Sequence, residues 1–113
     1  MSSSQEAKKI LTSFKYDEHI IINEVYDHIK NTYDEHYSKN KYQATEFIID
    51  AGHGEGFALG NIIKYAQRYG KKNGFNKDDL LKVIHYGIIA LSIHENRFPN
   101  RRIDYEESDN RSS

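Results

Sequence analysis

The stretch GHGEGFALGNIIKYAQRYGKKNGFNKDDLLKVIHYGIIALSI, residues 52–93, contains the pattern that decides the fold. Its first half repeats apolar residues with a helical period, and these are Leu59, Ile62, Ala66 and Tyr69. The polar turn KKNG ends this helix, and Asn76 is a typical N-cap for a second helix that Pro99 stops. Residues 52–93 therefore predict a helical hairpin.

The second helix of this hairpin has two apolar faces. The broad face consists of Leu80, Val83, Ile84, Gly87, Ile88 and Leu91. The narrow face consists of Tyr86, Ile89 and Ile93. A helix that is apolar nearly all round is central in a bundle or lies in a subunit interface, and in so short a chain we expect an interface. The pattern therefore predicts a homo-oligomer.

Further helices are predicted before residue 52. An N-terminal helix is indicated by apolar residues at helical spacing, namely Ala7, Ile10, Leu11 and Phe14. A second, amphipathic helix is indicated by Ile22, Val25, Tyr26, Ile29, Tyr33 and Tyr37. No strong helix breaker separates the two, so their continuity stays open. Residues 43–51 fit a short helix better than a strand.

These patterns predict an all-α fold, a small oligomeric helical bundle with a C-terminal helical hairpin. At 113 residues we expect one domain, over 1–99, and residues 100–113 read as a polar, disordered tail. The net charge of −1 gives no reason to expect nucleic acid as a partner. The absence of cysteine excludes disulfides and thiolate metal sites. No signal peptide or membrane span is apparent, so we expect a cytoplasmic protein.

The strongest candidate for a binding site is the first helix of the hairpin. A glycine-rich turn that opens a helix offers free backbone N–H groups and a positive dipole end, so phosphate is the expected ligand. The turn contributes Gly54, Glu55 and Gly56. One arc of the helix and its end contribute Asn61, Lys64, Tyr65, Arg68, Lys71 and Lys72. The alternative is that this basic arc is only a solvated face.

Gly60 and Asn61 favour a role for this arc. Both residues are poor choices inside a helix, and each costs roughly 0.5–1 kcal/mol relative to alanine, which indicates a packing or binding role. Tyr65 is a candidate for contact with a base or sugar, although tyrosine in this chain also fills core positions. His53, between two glycines, is either a ligand contact and proton donor or a cap of the turn.

Acidic and histidine side chains provide weaker candidates. Glu46 and Asp50 are four residues apart on a predicted helix, and with Glu55 they can hold Mg²⁺ through water; the alternative is exposed, solvated acids. We do not expect zinc, because no HExxH motif or close histidine pair is present. His85 either lines the site or satisfies a helix contact.

The hairpin resembles a small phage-encoded domain family that is widespread in tailed phages. That family is described either as a domain of unknown function or as a nucleotide kinase without a P-loop. Its pattern is L-G-N-x-x-K-Y-x-x-R, a stop similar to G-K-K, then D-L-x-K and a tyrosine. The matching residues are Leu59, Gly60, Asn61, Lys64, Tyr65, Arg68, Lys71, Lys72, Asp79, Leu80, Lys82 and Tyr86. The family-like core is 43–96; residues 4–38, His53 and Glu55 have no family counterpart.

The resemblance implies a phage protein that binds a nucleotide in the cytoplasm of an infected host cell. In kinase-type members it implies phosphoryl transfer from Mg-ATP to a (deoxy)nucleoside monophosphate. Lys64 and Arg68 would then stabilise the transferred group, and Glu46, Asp50 or Asp79 would hold Mg²⁺. A chain this short would need a site shared between subunits. The alternatives are sequestration of a nucleotide or nucleotide signal without catalysis, and a helical module that binds a host factor.

Overall fold

In the computed structural model of the protein, residues 13–37 and 41–98 are described. The chain divides into two compact units, Met1–Lys41 and Tyr42–Ser113. All elements of regular secondary structure in the described ranges are helices, which confirms the all-α prediction. The predicted N-terminal helix lies outside the described residues except for its last position, Phe14, and the predicted tail lies outside them entirely. A single domain over 1–99 stays a prediction.

The first unit contains helix α1, Glu18–Tyr37. Asp17 precedes it with a left-handed φ of 58°, and the backbone N–H of Asp17 donates to the carbonyl oxygen of Phe14 at 3.2 Å. A residue with this backbone conformation cannot continue a right-handed helix. Asp17 therefore ends any helix before it, which settles the continuity that the sequence left open.

The second unit begins with a bent pair of helices. Helix α2, Lys41–Ile48, continues into a π-helical turn, Ile49–His53, and helix α3 follows at Gly54–Arg68. Gly52 makes the bend, because its φ of 90° is accessible to glycine at little cost. Helix α2 and the π-helical turn confirm the helix predicted over residues 43–51. Of the three glycines in GHGEG, Gly52 lies in the π-helical turn, and Gly54 and Gly56 belong to α3.

A tight turn joins α3 to helix α4, Lys77–Arg97. Gly70 and Gly74 both have positive φ, and the N–H of Gly70 donates to the carbonyl oxygen of Gly74 at 2.9 Å. The side chain of Asn76 then accepts a hydrogen bond from the N–H of Asp78 at 2.9 Å, so Asn76 is the N-cap that the sequence predicts. The hairpin prediction is thereby confirmed.

Helices α3 and α4 pack antiparallel. Small residues of α3 face α4: Ala58 is fully buried, and a Cβ on Gly54 would lie 2.9 Å from Cδ1 of Ile93. The carboxylate of Glu55 and the guanidinium of Arg97 are 3.2 Å apart and link the start of α3 to the end of α4. The narrow apolar face of α4, with Tyr86 and Ile93, therefore faces α3.

The broad apolar face of α4 remains exposed at Leu80, Ile84, Ile88 and Leu91. Although α1 and α4 contain 20 and 21 residues, none of the helices in the described ranges combines the length and apolarity needed to cross a membrane.

Gly70→Ala is expected to destabilise the protein by about 1–3 kcal/mol, because alanine is strained at positive φ and because its Cβ would meet the ring of Phe75. The φ of Gly70 is 83°, and the nearest ring atom would be 2.8 Å from that Cβ. Gly60→Ala is the matched control: its Cβ would meet no atom within 4 Å, so α3 should gain roughly 0.5–1 kcal/mol. Urea unfolding followed by circular dichroism measures both, and equal effects would contradict this account.

Candidate functional site

The ring of Tyr65 lies among three cations. The Nζ atoms of Lys64 and Lys82 are 5.1 Å and 5.0 Å from its centroid, and Cζ of Arg68 is 5.7 Å from it. Lys64 and Arg68 lie on α3, whereas Lys82 lies on α4, so the packing of the two helices assembles the group. We call Lys64, Tyr65, Arg68, Lys82 and Tyr86 the Tyr65 cluster.

Tyr86 of α4 supports the Tyr65 ring. The two rings are nearly parallel, at 9° with centroids 6.0 Å apart, and Phe57 approaches Tyr86 edge-on at 5.8 Å. His85 is buried, and its ring lies 6.2 Å from that of the next residue, Tyr86. Aromatic pairs of this geometry add stability beyond area burial. They hold Tyr65 in place between the cations.

The charges of the cluster are only partly compensated. Nε of Arg68 lies 3.7 Å from Oδ1 of Asp79, a carboxylate that is 2% exposed. Within the part of the chain that the structure describes, Lys64 and Lys82 form no ion pair with a carboxylate. Like charges gathered around one ring repel one another, and the face of an aromatic ring offsets this repulsion only in part. The cluster is therefore a local concentration of positive charge.

Gly60 and Asn61 lie one turn before the cluster. Nδ2 of Asn61 donates to the carbonyl oxygen of Phe57 at 2.8 Å, so the amide is partly used within α3. A Cβ on Gly60 would meet nothing within 4 Å, so packing in this chain does not explain the glycine. A binding role for Gly60 stays a prediction.

The glycine-rich turn lies at the other end of α3. Ten residues separate Gly54 from Lys64, which is about 15 Å along a helix axis. One phosphate group therefore cannot contact both the backbone of Gly54 and Gly56 and the side chain of Lys64. His53 occupies the N-cap position of α3 but forms no capping side-chain hydrogen bond, and the carboxylate of Glu55 pairs with Arg97. The predicted site thus falls into two separate groups.

Lys71 and Lys72 belong to the turn that follows α3. Their N–H groups donate to the carbonyl oxygen of Arg68 at 2.9 and 3.4 Å, and both residues are exposed. The cations that lie over Tyr65 among the described residues are those of the cluster, not these two. Lys71 and Lys72 are near the cluster along the chain but do not form part of it.

The predicted magnesium ligands are not brought together. No three His, Asp or Glu side chains of the described residues are close enough to hold a metal ion. Asp79 is buried against Arg68 instead. Glu46, Asp50 and Asp79 are therefore not part of a three-ligand group in the described ranges. That one of these carboxylates helps to hold a magnesium ion brought by nucleotide phosphates stays a prediction.

A protein-family model described as a protein of unknown function, DUF3310, matches residues 29–87, more than half of the chain. The chain belongs to the DUF3310 family. No curated protein and no solved structure matches it. The match includes the whole Tyr65 cluster and begins within α1, where the sequence analysis found no family counterpart.

Lys82 is a member of the cluster that reasoning from helix periodicity left out of the site. A helical wheel compares residues of one helix, whereas Lys82 reaches Tyr65 from the neighbouring helix. The available signal was the D-L-x-K pattern, in which Lys82 follows Asp79 by three residues and lies on the same side of α4. In this DUF3310 chain that side faces Tyr65 and Arg68.

Burial raises the pKa of the Tyr86 phenol above its usual value of 10.0, and the neighbouring Tyr65 adds to the rise. The folded state binds this proton more tightly than the unfolded chain does. The contribution of the Tyr86 phenol to the free energy of unfolding is therefore fully present below about pH 10 and is lost as the pH rises through the folded pKa.

Tyr86→Phe is expected to remove a tyrosine that ionises above the usual pKa of 10.0, because burial favours the neutral phenol. An alkaline titration that follows the ultraviolet absorbance of tyrosinate measures this. Tyr26→Phe, which changes an exposed tyrosine of α1, serves as the control and should leave that component in place. Identical curves for wild type and Tyr86→Phe would be inconsistent with the environment described.

Proposed function

We propose that this DUF3310 protein binds a nucleotide through its phosphates at the Tyr65 cluster. The observation that supports this best is the convergence of three cations on one ring, with no carboxylate partner for Lys64 or Lys82 among the described residues. Lysine offers a compact charge and arginine a planar fork, and both suit phosphate oxygens.

The aromatic part of the cluster supports a nucleotide rather than inorganic phosphate. Tyr65 is only half-buried, so part of its ring is accessible to a base or sugar. Stacking of a base on an aromatic side chain contributes about 1–3 kcal/mol in nucleic-acid complexes. Gly60, which has open space around its Cα, leaves room for a ligand beside Lys64.

Phosphoryl transfer is the reaction that such binding would serve. In it, the γ-phosphoryl group of ATP passes to a phosphate oxygen of a (deoxy)nucleoside monophosphate, which produces ADP and a diphosphate. Lys64, Arg68 and Lys82 would stabilise the negative charge on that group. His53 is too far along α3 to give a proton to a phosphate held by Lys64. As the sequence resemblance implies, we assign this function to the cytoplasm of a phage-infected cell.

Calorimetry of the full-length protein with AMP, ADP, ATP, dTMP and dTTP, each with and without Mg²⁺, tests the proposal. We expect at least one nucleotide to bind and the matching nucleoside not to bind. Lys64→Ala and Lys82→Ala should each weaken binding about tenfold, because each removes a charged partner of the phosphates. Lys71→Ala with Lys72→Ala should have a smaller effect.

Lys30→Ala is the matched control, because it removes an equal charge from an exposed position of α1 and should leave affinity unchanged. Chromatography of the binding mixture with ATP then separates the alternatives. Formation of ADP and a diphosphate supports the kinase reaction, and tight binding without product supports sequestration. If none of these nucleotides binds, nucleotide recognition is wrong and the host-factor module becomes the better hypothesis.

We also propose that the protein is a homo-oligomer that buries the broad apolar face of α4. Leu80, Ile84, Ile88 and Leu91 are 42%, 39%, 45% and 59% exposed, and they recur at helical spacing along one side. A continuous apolar stripe of this kind is rarely left in water by a protein that acts as a monomer.

Ile84→Glu with Ile88→Glu is expected to yield a monomer, because two carboxylates cannot be buried in an apolar interface at low cost. Light scattering after size-exclusion chromatography measures the mass, and circular dichroism checks that the helices are retained. Ile63→Glu, a change at an exposed isoleucine of α3, should leave the oligomer intact. A wild-type protein that elutes as a monomer at all concentrations would refute the oligomer.

A further inference from the structure

Asp79 is a buried carboxylate with an incomplete set of partners. It lies in the first turn of α4, where its backbone N–H donates to the carbonyl oxygen of Asn76 at 3.1 Å. Its side chain is almost fully buried, and Oδ2 has no hydrogen-bond partner. Burying a charged group in this way is costly unless it is paired. Stability alone therefore does not explain why a carboxylate lies at position 79.

The partner of Asp79 is Arg68. Nε of Arg68 is buried, forms no hydrogen bond, and faces Oδ1 of Asp79 at 3.7 Å. The Arg68 side chain as a whole is less buried, at 23% exposed. Because Asp79 faces Nε, the Nη1–Nη2 edge is the part of the fork that remains for another anion.

We propose that Asp79 is a positioning residue that orients Arg68 so that its Nη1–Nη2 edge binds the ligand's phosphate. The proposal rests on phosphate binding at the Tyr65 cluster and assigns Asp79 a role in it, in place of the metal ligation that the sequence analysis expected. Two independent observations support it. Asp79 faces one nitrogen of the guanidinium from within the protein, and the ring of Tyr65 lies beside the same guanidinium.

The direction in which phosphate affinity changes when the charge of Asp79 is removed distinguishes a positioning role from a purely electrostatic one. The charge of Asp79 repels an anion, so its removal makes the cluster more positive and, by charge alone, would tighten phosphate binding. If Asp79 orients Arg68, the same removal weakens binding, because a guanidinium without its anchor no longer holds both N–H groups toward one phosphate. The two accounts predict opposite changes for one substitution.

The test compares Asp79→Asn with Asp78→Asn in the full-length protein, with inorganic pyrophosphate and ATP as calorimetric probes. Asp78 is the matched control, because it is exposed, lies in the same turn of α4, and loses the same charge at the same helix terminus. We expect Asp79→Asn to weaken binding about tenfold and Asp78→Asn to leave it unchanged or slightly tighter. Thermal unfolding and the near-ultraviolet circular dichroism of the tyrosines show whether the fold is retained.

Arg68→Lys shows whether Asp79 acts through Arg68. Lysine retains the charge but lacks the fork, so this variant alone should also weaken binding about tenfold. In the Arg68→Lys background, Asp79→Asn should then change the affinity less than about twofold, because the group that it positions is gone. Arg68→Lys also keeps the proposal testable if Asp79→Asn does not fold.

Three results would overturn the positioning role. These are tighter or unchanged binding in Asp79→Asn, an equal loss in the Arg68→Lys background, and full affinity in Arg68→Lys alone. A wild-type protein that binds neither pyrophosphate nor ATP would instead refute phosphate binding at the cluster, and the positioning role with it. The wild-type measurement thus distinguishes failure of the proposed function from failure of this inference.

Discussion

The close approach of α3 and α4 is the constraint on which the rest of the second unit depends. It requires small residues on α3, because Ala58 is fully buried and a side chain at Gly54 would press on Ile93. Ion pairs at the two ends of this contact, Glu55 with Arg97 and Arg68 with Asp79, form in the register that the packing gives the two helices. The same register brings Lys82 to the ring of Tyr65, so the candidate site is a consequence of the packing.

The main feature of the Tyr65 cluster is its positive charge. The protein has a net charge of −1, yet three cations lie around one ring and the nearest described counter-ion, Asp79, is buried against only one of them. A local concentration of positive charge attracts anions. Tyr86, a neutral phenol whose ring lies nearly parallel to that of Tyr65, supports the ring without adding charge.

The distance between the two ends of α3 limits which residues can contact the same phosphate group. The glycine-rich turn with His53 and the Tyr65 cluster are about 15 Å apart along the helix, so they cannot act on the same phosphate. The glycine-rich turn forms the bend between α2 and α3, whereas the Tyr65 cluster contains the cations. The DUF3310 family match covers both, but the arrangement of charges supports only the cluster as a phosphate site.

Periodicity in the sequence was enough to determine the helices, because amphipathic spacing, the cap at Asn76 and the glycine turns act over a few residues. It also determined the basic arc of α3, since Lys64 and Arg68 share one helix face. The tertiary structure alone decided that Lys82 joins them and that Asp79 pairs with Arg68. These are relations between residues on different helices, and the distance between two helices is set by packing that no single-helix pattern contains.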